Sequence, residues 1–259
     1  MRFRYALRGA FVLLSATNAV AQDAGSLNTL SAAERDAGWK LLFDGRSTNG
    51  WRGYQKKEAP AGWVAEDGAL TRVAAGADLI TTKQYRDFEL TLEWKISEGG
   101  NSGIMYRVNE GPDATYQTGP EMQVLDDARH PDGRDRLTAA GSDFGLYPVP
   151  AGVVKPAGEW NQVRIVVRGH HVEHWLNGQK VVEYELESRD WEKRVAASKF
   201  RQWPGYGRAP KGHLALQDHG DRVWYRNIKI LELRENGERE NGGTGERENG
   251  RTGERENGR

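Results

Sequence analysis

From residue 88 the chain reads Phe-Glu-Leu-Thr-Leu-Glu-Trp-Lys-Ile, apolar and polar residues in strict alternation. Phe88, Leu90, Leu92, Trp94 and Ile96 fall on one face and Glu89, Thr91, Glu93 and Lys95 on the other, the pattern of a strand packed on a core with its reverse face wet. Similar runs predict strands at 39–43, 160–168, 212–220 and 223–233, with a shorter one at 144–149. Two hairpins are marked by their turns. Asp67-Gly68 divides the stretch 63–71, and Asn177-Gly178 separates 171–176 from 179–184; both dipeptides suit the left-handed backbone of a two-residue turn. Only 188–210 reads as a helical or irregular insertion, and it holds Trp191, Trp203 and Tyr206. Short strands at regular spacing, without strand–helix alternation, predict an all-β domain over 38–233. Its expected form is a two-sheet antiparallel β-sandwich with one outer face free to become a groove.

The ends differ from this domain. Arg2, Arg4 and Arg8 precede an apolar run at 10–14 and the small-x-small site Ala19-Val20-Ala21, which predicts a signal peptide over 1–21 and a periplasmic or secreted protein. That run is far short of the roughly 20 residues a membrane span needs. Residues 22–37 read as a linker or a short helix. Residues 234–259 repeat Gly-Glu-Arg-Glu-Asn-Gly with small variations and offer no apolar residue to pack, as expected of a disordered tail. Basic and acidic residues balance at 37 each, and removing the leader leaves a slight negative excess, so charge gives no argument for a nucleic-acid partner. There is no cysteine, hence no disulfide and no thiolate chemistry.

Candidate chemistry gathers between 99 and 126. In Glu121-Met122-Gln123-Val124-Leu125-Asp126 the period of two puts Glu121 and Gln123 on one face with Leu125, and Met122 and Val124 on the other with Asp126. A carboxylate and a carboxamide side by side between Gly-rich loops suit either a solvated face or a polar groove; the groove would also hold Arg107, Asn101 and Tyr106. Late in the chain Ala215, Gln217 and His219 share a face. Should the two faces line one trough, the site has a carboxylate, an imidazole and two carboxamides. Histidine moves protons near neutral pH, and a desolvated glutamate can share that work. Trp203 is a candidate for stacking on a sugar, His130 borders the trough, and Asp126 and Asp218 read as loop braces. Asp126, Asp127, Asp132 and Asp135 would suit calcium chemically, but their spacing matches no EF-hand loop. Only Glu121 is placed by strand phase, which argues against a two-carboxylate glycosidase. No phosphate-binding Gly-Lys-Ser/Thr loop, Gly-x-Ser-x-Gly elbow or His-Glu-x-x-His helix is present.

A set of short motifs runs in order through the domain: Leu42-Phe43-Asp44-Gly45, Gly50-Trp51, Tyr85-Arg86-Asp87-Phe88, Gly99-Gly100-Asn101-Ser102-Gly103-Ile104, Glu121-Met122-Gln123-Val124-Leu125-Asp126, Gly158-Glu159-Trp160-Asn161, Leu176-Asn177-Gly178, Leu216-Gln217-Asp218-His219-Gly220 and Arg226-Asn227-Ile228. In this combination the chain resembles the 3-keto-disaccharide hydrolase domain family, over about 38–233. The resemblance implies a concanavalin A-like, laminin G-like jelly roll, exported, acting on glycosides already oxidised at sugar C3. A base would remove the C2 proton, the C1 oxygen would depart, and water would add to the unsaturated sugar, with His219, Glu121 and Arg107 as the groups that match. It leaves a divalent metal near these residues open. A non-catalytic carbohydrate-binding module on the same sandwich is the alternative, since this architecture serves both. Met122 and the stretch 128–136 depart from the family pattern.

Overall fold

The computed structural model describes residues 27–233; the expected leader at 1–21 and the repeat tail at 234–259 lie outside the described residues. In chain order these residues form α1 (Ala32–Asp36), β1 (Lys40–Leu41), β2 (Trp51–Gly53), β3 (Trp63–Glu66), β4 (Ala69–Arg72), β5 (Leu79–Thr81), β6 (Phe88–Ile96), β7 (Asn101–Val108), β8 (Glu121–Leu125), β9 (Asn161–Arg168), β10 (His171–Leu176), β11 (Gln179–Glu185), α2 (Arg189–Ala197), β12 (His213–Leu216) and β13 (Val223–Glu232). One sheet has the order β11-β10-β9-β6-β13-β4-β3, with β1 also paired to β13; the other has the order β2-β5-β12-β7-β8. All pairings are antiparallel. The two-sheet, all-β expectation holds.

The alternation in β6 does what its pattern predicts: all five apolar residues are buried and the four polar ones are half-exposed. Each such side chain contributes about 1.5–3 kcal/mol by leaving water, which makes this strand the spine of the core. Strand β13 reaches the same core by a different route. Tyr225 and Ile228 are both fully buried although three residues apart, because Asn227 takes φ 52° in a bulge that resets the side-chain phase. Both predicted hairpins form, with Asp67 and Gly68 at φ 50° and 72° and Asn177 and Gly178 at φ 50° and 83°.

Several boundaries differ from the sequence reading. The strand expected at 212–220 ends at Leu216 as β12, which leaves Gln217 and His219 in the loop beyond it. Of the two readings of 22–37, the short helix is present as α1, and residues 28–36 are fastened to the sandwich where a free linker was the other. Asn28 donates its N–H to the Asn227 side chain at 2.7 Å and accepts from the Asn227 N–H at 2.8 Å, and Lys229 pairs with Glu34 at 2.7 Å. The expected strand at 144–149 is absent. Residues 141–144 instead form a short edge against β8, with Gly141 N–H on Gln123 C=O at 2.8 Å and Phe144 N–H on Glu121 C=O at 3.0 Å. Gly145, at φ 73°, then turns the chain away. The predicted strand at 39–43 shrinks to β1.

Candidate active site

The site is built from side-chain register across the smaller sheet. On β7, next to the edge strand β8, Met105 stands opposite Glu121 of β8 on one side and Ala215 of the central strand β12 on the other, and Ala215 stands opposite Ile80 of β5. Two residues along, Gly103 faces Gln123, and the Gln217 N–H donates to the Gly103 carbonyl at 3.0 Å. The intervening residues Ile104, Met122, Leu216 and Leu79 belong to the core between the sheets. Glu121, Gln123, Gly103 and Met105 therefore stand on the outward face, where Ile80, Met105 and Ala215 form a small separate apolar cluster. Gly103 keeps the floor low. A Cβ built there would lie 2.6 Å from Cδ and 2.9 Å from Cγ of Glu121, so the glutamate lies directly over the glycine.

Glu121 is buried, and among the described residues no hydrogen-bond donor reaches its carboxyl. Desolvation pushes that carboxyl up to about 8; Lys199 pulls against the shift, while Asp78 and Asp132 add to it. Asp78 is tied down by the Asp218 N–H at 2.8 Å and by the Thr115 hydroxyl, and burial raises its pKa too. His219, exposed just beyond the end of β12, acts electrostatically on the same Asp78 and meets the His130 ring edge-on at 6.4 Å. The early carboxylate and the late imidazole thus both address Asp78. On β7, on β8 and just after β12, three buried carboxamide atoms have no partner among the described residues: Asn101 Oδ1, Gln123 Nε2 and Gln217 Oε1. Unmatched polar atoms of this kind are costly unless a ligand or water completes them.

One wall is aromatic. Tyr116 and Trp203 meet edge-to-face at 5.3 Å, and the Lys199 ammonium lies 4.4 Å from the Phe144 ring centre and 5.4 Å from that of Tyr116. Trp203 is half-buried beside Tyr116 and packs against the core between the sheets.

Two expected groove residues point elsewhere. Arg107 has φ 55° at an irregularity in the β7–β12 pairing, and its guanidinium donates to the carbonyls of Gly169 and Gly207 inside the protein. Tyr106 faces the core, its hydroxyl 2.8 Å from His174 Nε2 and 2.5 Å from the Tyr184 hydroxyl. Asp126 and Asp218 brace loops as expected: Asp126 accepts the Gly99 and Ala128 N–H groups, and Asp218 pairs with Arg72 at 2.6 Å and accepts the Gly76 N–H. Asp127 is likewise committed, to the Ala140 N–H. A divalent metal finds no ready donor set in the groove. Among the described residues, the His/Asp/Glu group with ligand atoms within 4.8 Å of one another is His171, Glu173 and Glu183 in the larger sheet. Sequence reading missed Asp78, Lys199, Tyr116 and Phe144. Only Asp78 carried a usable signal, its period-two relation to Ile80.

Behind β8 lies a second buried acid. Asp143 bridges to Met122 on the core side, is fully buried, and neither carboxyl oxygen has a hydrogen-bond partner. Burial drives its pKa well above the usual carboxylate range, and the Glu121 charge adds to the shift. The fold holds a proton that the unfolded chain releases, so this contribution to stability is full at low pH and is lost as pH rises through the folded pKa. An Asp143→Asn variant imitates the protonated acid. It is expected to lose less stability than wild type between about pH 5 and pH 9, read from denaturant midpoints at each pH.

The family described as the 3-keto-alpha-glucoside-1,2-lyase-like domain matches residues 38–231. A 3-keto-disaccharide hydrolase from Bacteroides thetaiotaomicron is 38% identical over 245 residues, 79% of this chain and 84% of that protein. Among solved structures, a Parabacteroides distasonis protein described as a candidate glycosyl hydrolase aligns with a TM-score of 0.76 at 35% identity, over 81% of this chain and 100% of its own. A second protein of that organism, described the same way, aligns with a TM-score of 0.59 at 29% identity, over 75% and 99%.

Proposed function

Since the chain belongs to the 3-keto-alpha-glucoside-1,2-lyase-like domain family, we propose that Glu121 is the base with which this hydrolase opens 3-keto-glycosides, and that His219 protonates the departing oxygen. The enzyme is a glycoside-cleaving hydrolase with a sugar substrate; the oxidised C3, the residue roles and the steps below are our reading. A ketone at C3 acidifies the C2 proton. Glu121 takes that proton, and the C2–H electron pair forms an enolate with the charge on O3. The enolate then collapses: C3=O re-forms, C1=C2 forms, and the C1–O pair leaves on the aglycone oxygen, which His219 protonates. Water adds its hydroxyl to C1 while C2 regains a proton, which completes a net hydrolysis. Sugar hydroxyls would satisfy Gln123, Gln217 and Asn101, and Trp203 with Tyr116 would flank the ring.

The observation that carries this reading is the Glu121 carboxyl, laid over Gly103 and shifted to about 8. General-base catalysis works best with a pKa near the working pH, whereas a module that only binds sugar needs no such group. The test is to incubate the purified protein with a 3-keto-disaccharide and, separately, with its unoxidised parent. Release of 3-ketoglucose from the first alone supports the proposal; binding of both sugars without turnover contradicts it. A His219→Ala variant should lose about 10²-fold in kcat on substrates with alkyl leaving groups and much less on nitrophenyl ones, which need no protonation. The reading includes export to the periplasm or medium, tested by finding the cellular protein beginning at Gln22.

A further inference from the structure

We propose that Lys199 is a second catalytic group of this enzyme, its ammonium pairing with O3 while that oxygen carries the enolate charge; the inference rests on the elimination route proposed above. That route creates a full negative charge in a desolvated trough, next to a buried acid, and a charge of that kind needs a preorganised cation. Arg107, the cation the sequence offered, is withdrawn into the interior onto the carbonyls of Gly169 and Gly207. Lys199, an exposed residue, is the cation that acts on Glu121 instead. It opens the short helical turn Lys199–Gln202, which is fixed by the Ser198 hydroxyl accepting the Phe200 N–H at 3.1 Å and by the buried Phe200 ring.

The way the ammonium is held bears on its use. It lies over three rings, 4.4 Å from Phe144, 5.2 Å from Phe200 and 5.4 Å from Tyr116, and it makes no ion pair with a carboxylate among the described residues. Aromatic faces orient a cation without neutralising it, so its charge remains available to a ligand. Phe144 is itself tied to the strand bearing the base, through its N–H on the Glu121 carbonyl at 3.0 Å. The charged groups around Glu121 are Lys199 after α2, Asp78 before β5, Asp132 in the turn Pro131–Arg134 and, behind β8, Asp143; Lys199 is the cation of this set. His219 stands on the Asp78 side, since it follows Asp218, whose N–H donates to Asp78 at 2.8 Å.

The step is balanced within the site. The C2–H bond breaks, its proton goes to Glu121, its electron pair forms C2=C3, and the carbonyl π pair moves to O3 beside the ammonium. No oxidant or reductant is required.

The experiment uses the full chain carrying Lys199→Met or Lys199→Arg, assayed on a 3-keto-disaccharide. Lys199→Met should lower kcat by about 10²-fold with KM changed only a few-fold, and Lys199→Arg should recover part of the loss. Exchange of the C2 hydrogen of 3-ketoglucose with D2O, catalysed by the same proteins, should fall in parallel. Because the ammonium pulls the Glu121 pKa down, its removal should also move the acid limb of the pH profile upward, a change that a wall-packing role would not produce. Lys199→Met with wild-type kcat and exchange rate overturns the proposal, as does a loss confined to KM with the acid limb unmoved. Absence of turnover by the wild-type chain on any 3-keto-glycoside would instead remove the elimination route, and this inference with it.

Discussion

Glu121→Gln is expected to lower kcat on a 3-keto-glycoside by about 10³-fold or more, with KM little changed, since general-base catalysis supplies about 10²–10⁴-fold. The amide keeps the shape of the protonated side chain and so keeps the substrate contacts. Folding should not suffer. Burial pushes the native carboxyl from its ordinary value of 4.5 up to about 8, so ionising it costs the folded state stability as pH rises through that range. The glutamine variant escapes that cost and should be at least as stable as wild type at alkaline pH. The same shift sets the pH profile of the wild-type enzyme. A base must be ionised to accept a proton, so the acid limb of kcat/KM should climb by about tenfold per pH unit up to about 8. Steady-state kinetics across pH, with denaturant midpoints for both proteins, check this. A profile flat down to about pH 5 would assign the base elsewhere.

Gly103→Ala is the second large effect, and it acts without touching any titrating group. The added methyl carbon would fall 2.6 Å from Cδ and 2.9 Å from Cγ of Glu121, closer than non-bonded carbons tolerate. Gly103 has no positive φ to maintain, so the backbone accepts alanine, and the displaced atoms belong to a flexible side chain. The burden therefore falls on where the carboxyl sits. A misplaced reacting group of about 1 Å can cost about 10²-fold, and that is the expected loss in kcat. Overpacking should cost only about 1–3 kcal/mol of stability. Paired kcat and urea-unfolding measurements separate the two, and a variant with full activity would show that the carboxyl need not lie over residue 103.

The fold was legible because its signals are local. Alternation in 88–96 needs no partner to be read, and Asp67-Gly68 and Asn177-Gly178 specify their own backbone. Phase along 121–125 likewise separated Glu121 and Gln123 from Met122 and Val124, because the core takes only one of the two sets. What local pattern could not supply was decided by contacts distant in sequence. Arg107 was read as facing the groove, yet an irregularity against β12, visible only in the pairing, turns it inward. Tyr106 is claimed by His174 and Tyr184, 68 and 78 residues away. Its role in the core also settles the tautomer there. The Gly141 carbonyl can only accept, so His174 Nδ1 carries the hydrogen and Nε2 accepts from Tyr106, in keeping with a pKa lowered by burial to about 4. Asp78 and Lys199 come from segments distant in sequence, the one just before β5 and the other just after α2. No periodicity marks a lysine in an irregular insertion as a groove residue.

The central claim is that cleavage proceeds by removing the hydrogen from C2, and not by direct displacement at C1. The most direct measurement is turnover of a 3-keto-disaccharide in D2O, with the released 3-ketoglucose analysed by NMR as soon as it forms and corrected for exchange of free product. Elimination followed by hydration rebuilds the C2–H bond from solvent, so the account predicts one deuterium at C2 of every product molecule. Product that keeps its original C2 hydrogen while the glycosidic bond is broken would contradict it.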